Sequence, residues 1–214
     1  MISAYLFDLD GTLLDTEIVW VHATRNYLAS KGHEVSHEFC MGVVYGRAWF
    51  DVYADIVHAF PELEMGLPAM QDEMDEFFYK LRDVADIRIH GSIELLKRLS
   101  QSTPCCIVSG SPRPHIAEGI EIMGIEDCVS FYLGSSDYPF GKPHPSGFLL
   151  AAERLGVSPS ECVVFEDSEV GIASGKAAGM KVVALSRPRH PKQNVAAADV
   201  VLEDLADFKE DIFN

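Results

Sequence analysis

Four short stretches carry residues whose types and spacing can do chemistry. The first is Asp8-Leu9-Asp10-Gly11-Thr12, at the end of the apolar run Ala4–Phe7. Residues two apart in an extended segment face the same side, so both carboxylates can address one site, and Gly11 allows a sharp turn. The second is Ser109-Gly110-Ser111-Pro112, after Cys105–Val108. Ser111 before Pro112 predicts a helix N-cap with proline in the first turn, and a helix start offers backbone N–H groups to an anion. The third is Gly141-Lys142-Pro143, a stiff loop carrying one cation, and the fourth is Glu166-Asp167-Ser168, which ends Cys162–Phe165. Each has a plain alternative: turn aspartates, capping serines, a surface lysine, or an N-cap at Asp167 or Ser168. Taken together they address one sheet edge, where up to four carboxylates repel one another unless a cation joins them. An oxygen-only, carboxylate-rich set suits Mg²⁺, and Lys142 with the Ser109 hydroxyl then suits phosphate.

The elements that must position these residues follow from pattern. Strands are expected at Ala4–Phe7, Cys105–Val108, Phe131–Leu133, Cys162–Phe165, Val182–Leu185 and Val200–Val201. Helices are expected at Ser92–Leu99, Pro112–Met123, Ser146–Leu155 and Val170–Ala178. This alternation predicts an α/β fold, a Rossmann-like parallel sheet with helices on both faces. In such sheets ligands bind beyond the carboxyl ends of the strands, which is where the four stretches fall. Residues 17–84 break the rhythm. Trp20, Val21, Tyr27 and Leu28 form a helical stripe, and Ala48–Phe60 and Met70–Leu81 also have helical patterns. An inserted α-helical cap domain at 17–84, within a core of 1–16 and 85–214, is therefore expected.

Composition narrows the function. The 214 residues are 48% hydrophobic and carry a formal net charge of −16, which argues against a nucleic-acid partner. The insert is not a cationic anion trap either, with 12 acidic and 5 basic residues over 17–84. No window approaches the roughly 18–20 apolar residues of a membrane helix. Asp8 and Asp10 interrupt what would be a secretory leader, so a cytoplasmic protein with no membrane partner is expected. Cys40, Cys105, Cys106, Cys128 and Cys162 are odd in number with no C-x-x-C, and read as buried reduced thiols.

In this order, "DLDGTLLD", Ser109, Lys142 in "GKPHP" and "FEDSEVGI" resemble the motifs of the haloacid dehalogenase superfamily, over nearly the whole chain. A helical insert after the first motif is similar to the subclass I cap of its phosphatase and β-phosphoglucomutase branch. The resemblance implies Asp8 as nucleophile, Asp10 as general acid and then base, and Ser109 and Lys142 as holders of the phosphoryl oxygens. It implies Mg²⁺ held by Asp8, the Asp10 carbonyl, Asp167 and Glu166, the last directly or through water. Leu9, Gly11, Thr12 and Gly110 belong to the substrate loops on the same footing. It also implies a cis Lys142–Pro143 bond, hinges at 15–17 and 84–87, and a monomer.

Within that family the true dehalogenases lack an aspartate at the position of Asp10, because a halide leaves without a proton; Asp10 therefore favours phosphoryl transfer. Phosphonoacetaldehyde hydrolases need a cap lysine, and neither Lys31 nor Lys80 stands in a matching motif. The mutases carry a cap histidine and two cap cations. Trp20, Tyr45 and "QDEMDEF" stand in those places here. The expectation is a phosphatase for a small phosphorylated metabolite, a sugar or polyol phosphate, with a phosphosugar mutase and a catalytically silent binding protein as alternatives. Trp20, Tyr45, Arg47 and Trp49 are candidate substrate-facing cap residues. The aromatics can equally be cap core, Arg47 can equally pair with Asp51 at i+4, and Ser146 is expected to cap its helix.

Overall fold

In the computed structural model the described residues are 2–45, 47, 49–63, 65–188 and 190–213. They form two compact units, 1–14 with 88–214, and 15–87. The first crossing thus lies two residues before the expected 16/17 junction and the second three residues after 84/85.

The first unit is built on six parallel strands: β1 (Ala4–Phe7), β2 (Cys105–Val108), β3 (Phe131–Leu133), β4 (Cys162–Glu166), β5 (Lys181–Leu185) and β6 (Val200–Leu202). Their order is β3-β2-β1-β4-β5-β6. Tyr5 is in register with Cys105 on one side and Val163 on the other. The strand order reverses at β1 and β4, so their carboxyl ends flank the crevice where open α/β sheets bind ligands.

β1 shows why the sheet is covered on both faces. Ala4 and Leu6 pack with Phe148, Ala151 and Ala152 of one helix and Ile172 of another. Tyr5 and Phe7 point the other way. The Phe7 and Phe165 rings stack at 4.5 Å, and Phe208 meets Phe165 edge-on at 5.0 Å. All of these are buried, each contributing about 1.5–3 kcal/mol for a large apolar side chain. The four helices alternating with the strands are α5 (His90–Leu99), α6 (Arg113–Met123), α7 (Ser146–Leu155) and α8 (Glu169–Ala177). The five cysteines are unpaired, four of them buried.

The second unit is helical: α1 (Thr16–Ser30), α2 (His37–Val44), α3 (Trp49–Ala59) and α4 (Leu67–Arg82). Ala48, the first residue of one expected helix, lies outside the described residues. Helix α2 went unrecognised in the sequence; it is only eight residues long, with Gly42 inside it, and is started by the Ser36 hydroxyl accepting from Phe39 N–H. A core of its own includes Val21, Tyr27, Leu28, Val52, Ile56, Met70 and Met74. Among the described residues no helix is long and apolar enough to cross a membrane.

Candidate active site

β1 delivers Asp8 at its carboxyl end, where the residue is 6% exposed. The chain then turns at Gly11, whose φ of +87° is a glycine conformation. Space is as demanding as φ: a Cβ there would lie 2.2 Å from Asp167 Oδ2. The Thr12 hydroxyl, fully buried, donates to Asp167 Oδ1 at 3.2 Å. Gly11 and Thr12 are thus the seat of Asp167 from β1's side. Leu9 is buried, and its side chain and that of Leu14 pack against Gly119 of α6.

β4 delivers Glu166, which is wholly buried. One of its oxygens, Oε2, accepts from Asp167 N–H at 3.0 Å, Ser168 N–H at 2.9 Å and the Ser168 hydroxyl at 2.9 Å. The other, Oε1, receives the Lys142 ammonium at 2.6 Å. A buried charge must be paired and hydrogen-bonded in this way to persist. Ser168 also caps α8, accepting from Gly171 N–H.

Lys142 follows a loop whose Lys142–Pro143 bond is cis. Its ammonium donates to Asp8 Oδ1 as well as to Glu166. Burial is the largest influence on the Asp8 carboxyl and pushes it up to about 8; the Glu166 and Asp10 charges add to this, and the Lys142 ammonium opposes it. For Lys142, burial alone would lower the pKa. The charges and hydrogen bonds of Asp8 and Glu166 outweigh it, and the ammonium is held above its ordinary value.

β2 delivers Ser109, wholly buried. Its hydroxyl donates to Asp10 Oδ2 at 3.2 Å and accepts from Ser111 N–H at 2.9 Å. The expected cap at Ser111 is corrected here. Helix α6 begins at Arg113 with Pro112 before it and no side-chain cap, and the Ser111 hydroxyl turns instead to Asp10 Oδ2, at 2.7 Å. The hydroxyl donates a charge-assisted bond to the carboxylate, and Pro114 in the first turn of α6 has no N–H for a capping oxygen to accept. Gly110, between the two serines, is exposed.

Two more residues of this site went unrecognised. The buried Tyr138 hydroxyl donates to the Ser109 carbonyl at 2.7 Å. Burial raises its pKa, so it stays a donor. Its ring lies beside Gly147 of α7, where a Cβ would come within 3.0 Å of Tyr138 Cε1. Gly171 of α8 lies against Glu166: a Cβ there would meet Oε1 at 1.7 Å. Only the close approach of elements brings these glycines and Tyr138 to the site, and no local pattern signals it. Ser146 is a second corrected cap. It is the first residue of α7, and its hydroxyl pairs with His144 Nδ1 at 2.6 Å.

The remaining candidates belong to the helical unit and are engaged there. Trp20 stacks on Phe78 at 4.1 Å and lies 5.4 Å from Trp49. Tyr45 is part of that unit's core. Arg47 pairs with Asp55 at 2.6 Å rather than with Asp51. It precedes α3, so helical i+4 spacing does not govern it.

Asp8, Glu166 and Asp167 each offer an oxygen, and these lie within 4.8 Å of one another. This all-oxygen donor set, with the space kept open by Gly11, fits a hard divalent cation. The sequence profile of the haloacid dehalogenase-like hydrolases matches residues 2–179. The chain belongs to this family. An Arabidopsis thaliana bifunctional riboflavin kinase/FMN phosphatase is 35% identical over 97% of the chain, which spans only 54% of that relative's length. Hexitol phosphatase A of Escherichia coli is 30% identical, over 95% of this chain and 91% of that one. A haloacid dehalogenase family hydrolase of Deinococcus radiodurans, solved with bound phosphate and sodium, is 29% identical, with a TM-score of 0.77 over 96% of this chain and 92% of that one.

Proposed function

We propose that this hydrolase is a Mg²⁺-dependent phosphatase that cleaves a small phosphorylated metabolite, a sugar or polyol phosphate, through an aspartyl-phosphate on Asp8. One observation carries it: a buried carboxylate at the sheet's switch point, held by Lys142, with a second carboxyl two residues on and two more within metal-ligand reach. The phosphatase names of the relatives above, hexitol phosphatase A among them, support it.

Asp8 attacks phosphorus in line, and the bond from phosphorus to the ester oxygen breaks. Asp10 gives its proton to the departing alcohol. A water then attacks the aspartyl-phosphate, Asp10 takes the water's proton, and inorganic phosphate leaves with Asp8 restored. Lys142 and the Ser109 hydroxyl, freed from their present partners, hold phosphoryl oxygens and offset the charge that gathers there. Asp8, Asp167, Glu166 and the Asp10 carbonyl would hold Mg²⁺, which neutralises phosphoryl charge as the lysine does. The substrate loops are Leu9, Gly11, Thr12 and Gly110, and the helical unit is the cap, with Trp20, Tyr45 and Arg47 as its specificity candidates. The enzyme works as a cytoplasmic monomer.

Phosphate release is to be measured over a panel of sugar and polyol phosphates with Mg²⁺, beside conversion of β-glucose 1-phosphate to glucose 6-phosphate. Release that Asp8→Asn abolishes is expected. Isomerisation with little release would assign a mutase instead, and full activity of Asp8→Asn would remove the covalent route.

A further inference from the structure

We infer that Ser111 is a positioning residue for Asp10, holding its carboxyl by Oδ2. The inference rests on the acid and base role proposed above for Asp10. Oδ2 receives two hydroxyls, from Ser111 at 2.7 Å and from Ser109 at 3.2 Å. Two donors on one oxygen occupy its acceptor directions and fix the orientation of the carboxyl. The two serines are not equivalent. Ser109 is also a phosphoryl ligand, and once a substrate oxygen takes its hydroxyl, that restraint on Asp10 is lost. Ser111 remains.

The main chain of Ser111 is built to keep it there. Its N–H donates to Ser109 Oγ at 2.9 Å, and its carbonyl accepts from Ser135 N–H at 3.0 Å. Gly134 lets the strand β3 end come this close, since a Cβ there would lie 2.8 Å from the Ser111 carbonyl oxygen. A residue pinned on both sides can hold a carboxyl through both half-reactions, first giving a proton and then taking one. Removing the Ser111 hydroxyl takes this restraint from the Asp10 carboxyl, which lowers the fraction of bound substrate in a reactive geometry.

The ester's leaving group makes the test. An alkoxide needs the proton in the transition state, whereas a nitrophenolate leaves without it. Values of kcat/KM report phosphoryl transfer to Asp8 and are to be compared for an alkyl phosphate and for p-nitrophenyl phosphate. General acid catalysis contributes about 10²–10⁴-fold, so Ser111→Ala is expected to lower kcat/KM about 30-fold for the alkyl ester and less than about 3-fold for the aryl ester. Its KM for the alkyl ester should change little, Ser111→Thr should restore the rate, and Ser111→Ala in an Asp10→Asn background should add nothing. Ser111→Cys, similar in volume with a far weaker donor, repeats the measurement if the alanine variant folds poorly. Equal losses on both esters, or losses additive with Asp10→Asn, would overturn the inference. If Asp10→Asn alone spares the alkyl ester, the role proposed for Asp10 fails; if Asp10→Asn shows the leaving-group effect and Ser111→Ala does not, only the role of Ser111 fails.

Discussion

Replacing Gly171 by alanine sets two effects of known sign against each other. In a helix the change ordinarily stabilises, by up to about 1 kcal/mol. Here the added Cβ would stand 1.7 Å from Glu166 Oε1 and 1.9 Å from Cδ. A carboxylate at the end of a free side chain would swing aside at little cost. Glu166 is not free: three donors hold Oε2 and Lys142 holds Oε1. Any retreat gives up several charge-assisted bonds, each contributing about 1.5–3 kcal/mol, and leaves Lys142 with one carboxylate instead of two. Losing two of these bonds outweighs the propensity gain, for a net loss of about 2–5 kcal/mol. In a chain of this length that is a fall in Tm of about 4–20 °C. Activity should fall more than a hundredfold, because Lys142 and the metal ligands move together. Gly175→Ala is the control: one helical turn on from Gly171, its Cβ meets only apolar side chains, Val182 Cγ2 at 2.8 Å first, so this overpacking should cost stability while sparing kcat/KM in the folded fraction. The decisive measurement is urea unfolding of a cycle with Glu166→Ala. With that side chain gone the clash goes too, and Gly171→Ala should become stabilising by about 0.5–1 kcal/mol. A destabilisation of the same size in both backgrounds would refute the account.

The Asp8 carboxyl, raised by burial to about 8, binds a proton more tightly folded than unfolded, so the stability of the protein in EDTA should fall as pH rises from about 4 to about 8. Asp8→Asn should flatten that slope in urea titrations, and an unchanged slope would assign it elsewhere. Tyr138→Phe strands the buried Ser109 carbonyl and should cost about 1–3 kcal/mol in urea unfolding, with a several-fold drop in kcat/KM. Mg²⁺ should raise the Tm, and Asp167→Asn should remove most of that rise while leaving the protein folded, as differential scanning would show.

The parts of this site that can be read from the sequence are those fixed by one strand's end. Asp8, Ser109 and Glu166 each follow an apolar run, and a strand buried on both faces must stop where charge begins. The strand bounds were legible for the same reason, to within a residue. What escaped depends on two elements approaching. Ser111 obeys a sound local rule, serine before proline starts a helix, yet its hydroxyl goes to a carboxylate 101 positions away because β1 and β2 end side by side. Gly171 reads as one of several small residues on a packing face, and its proximity to Glu166 makes it part of the site. Tyr138 sits in a loop with no periodicity to read. The positions that carry chemistry were thus visible, and the positions that hold them were not. This has a physical cause: a reactive group must be of one residue type wherever it stands, whereas a supporting group need only place a donor, or nothing at all, at a point in space that the fold alone defines. Substitutions at Ser111, Tyr138 and Gly171 therefore test the geometry more sharply than another substitution at Asp8, whose loss of activity would follow from the chemistry alone.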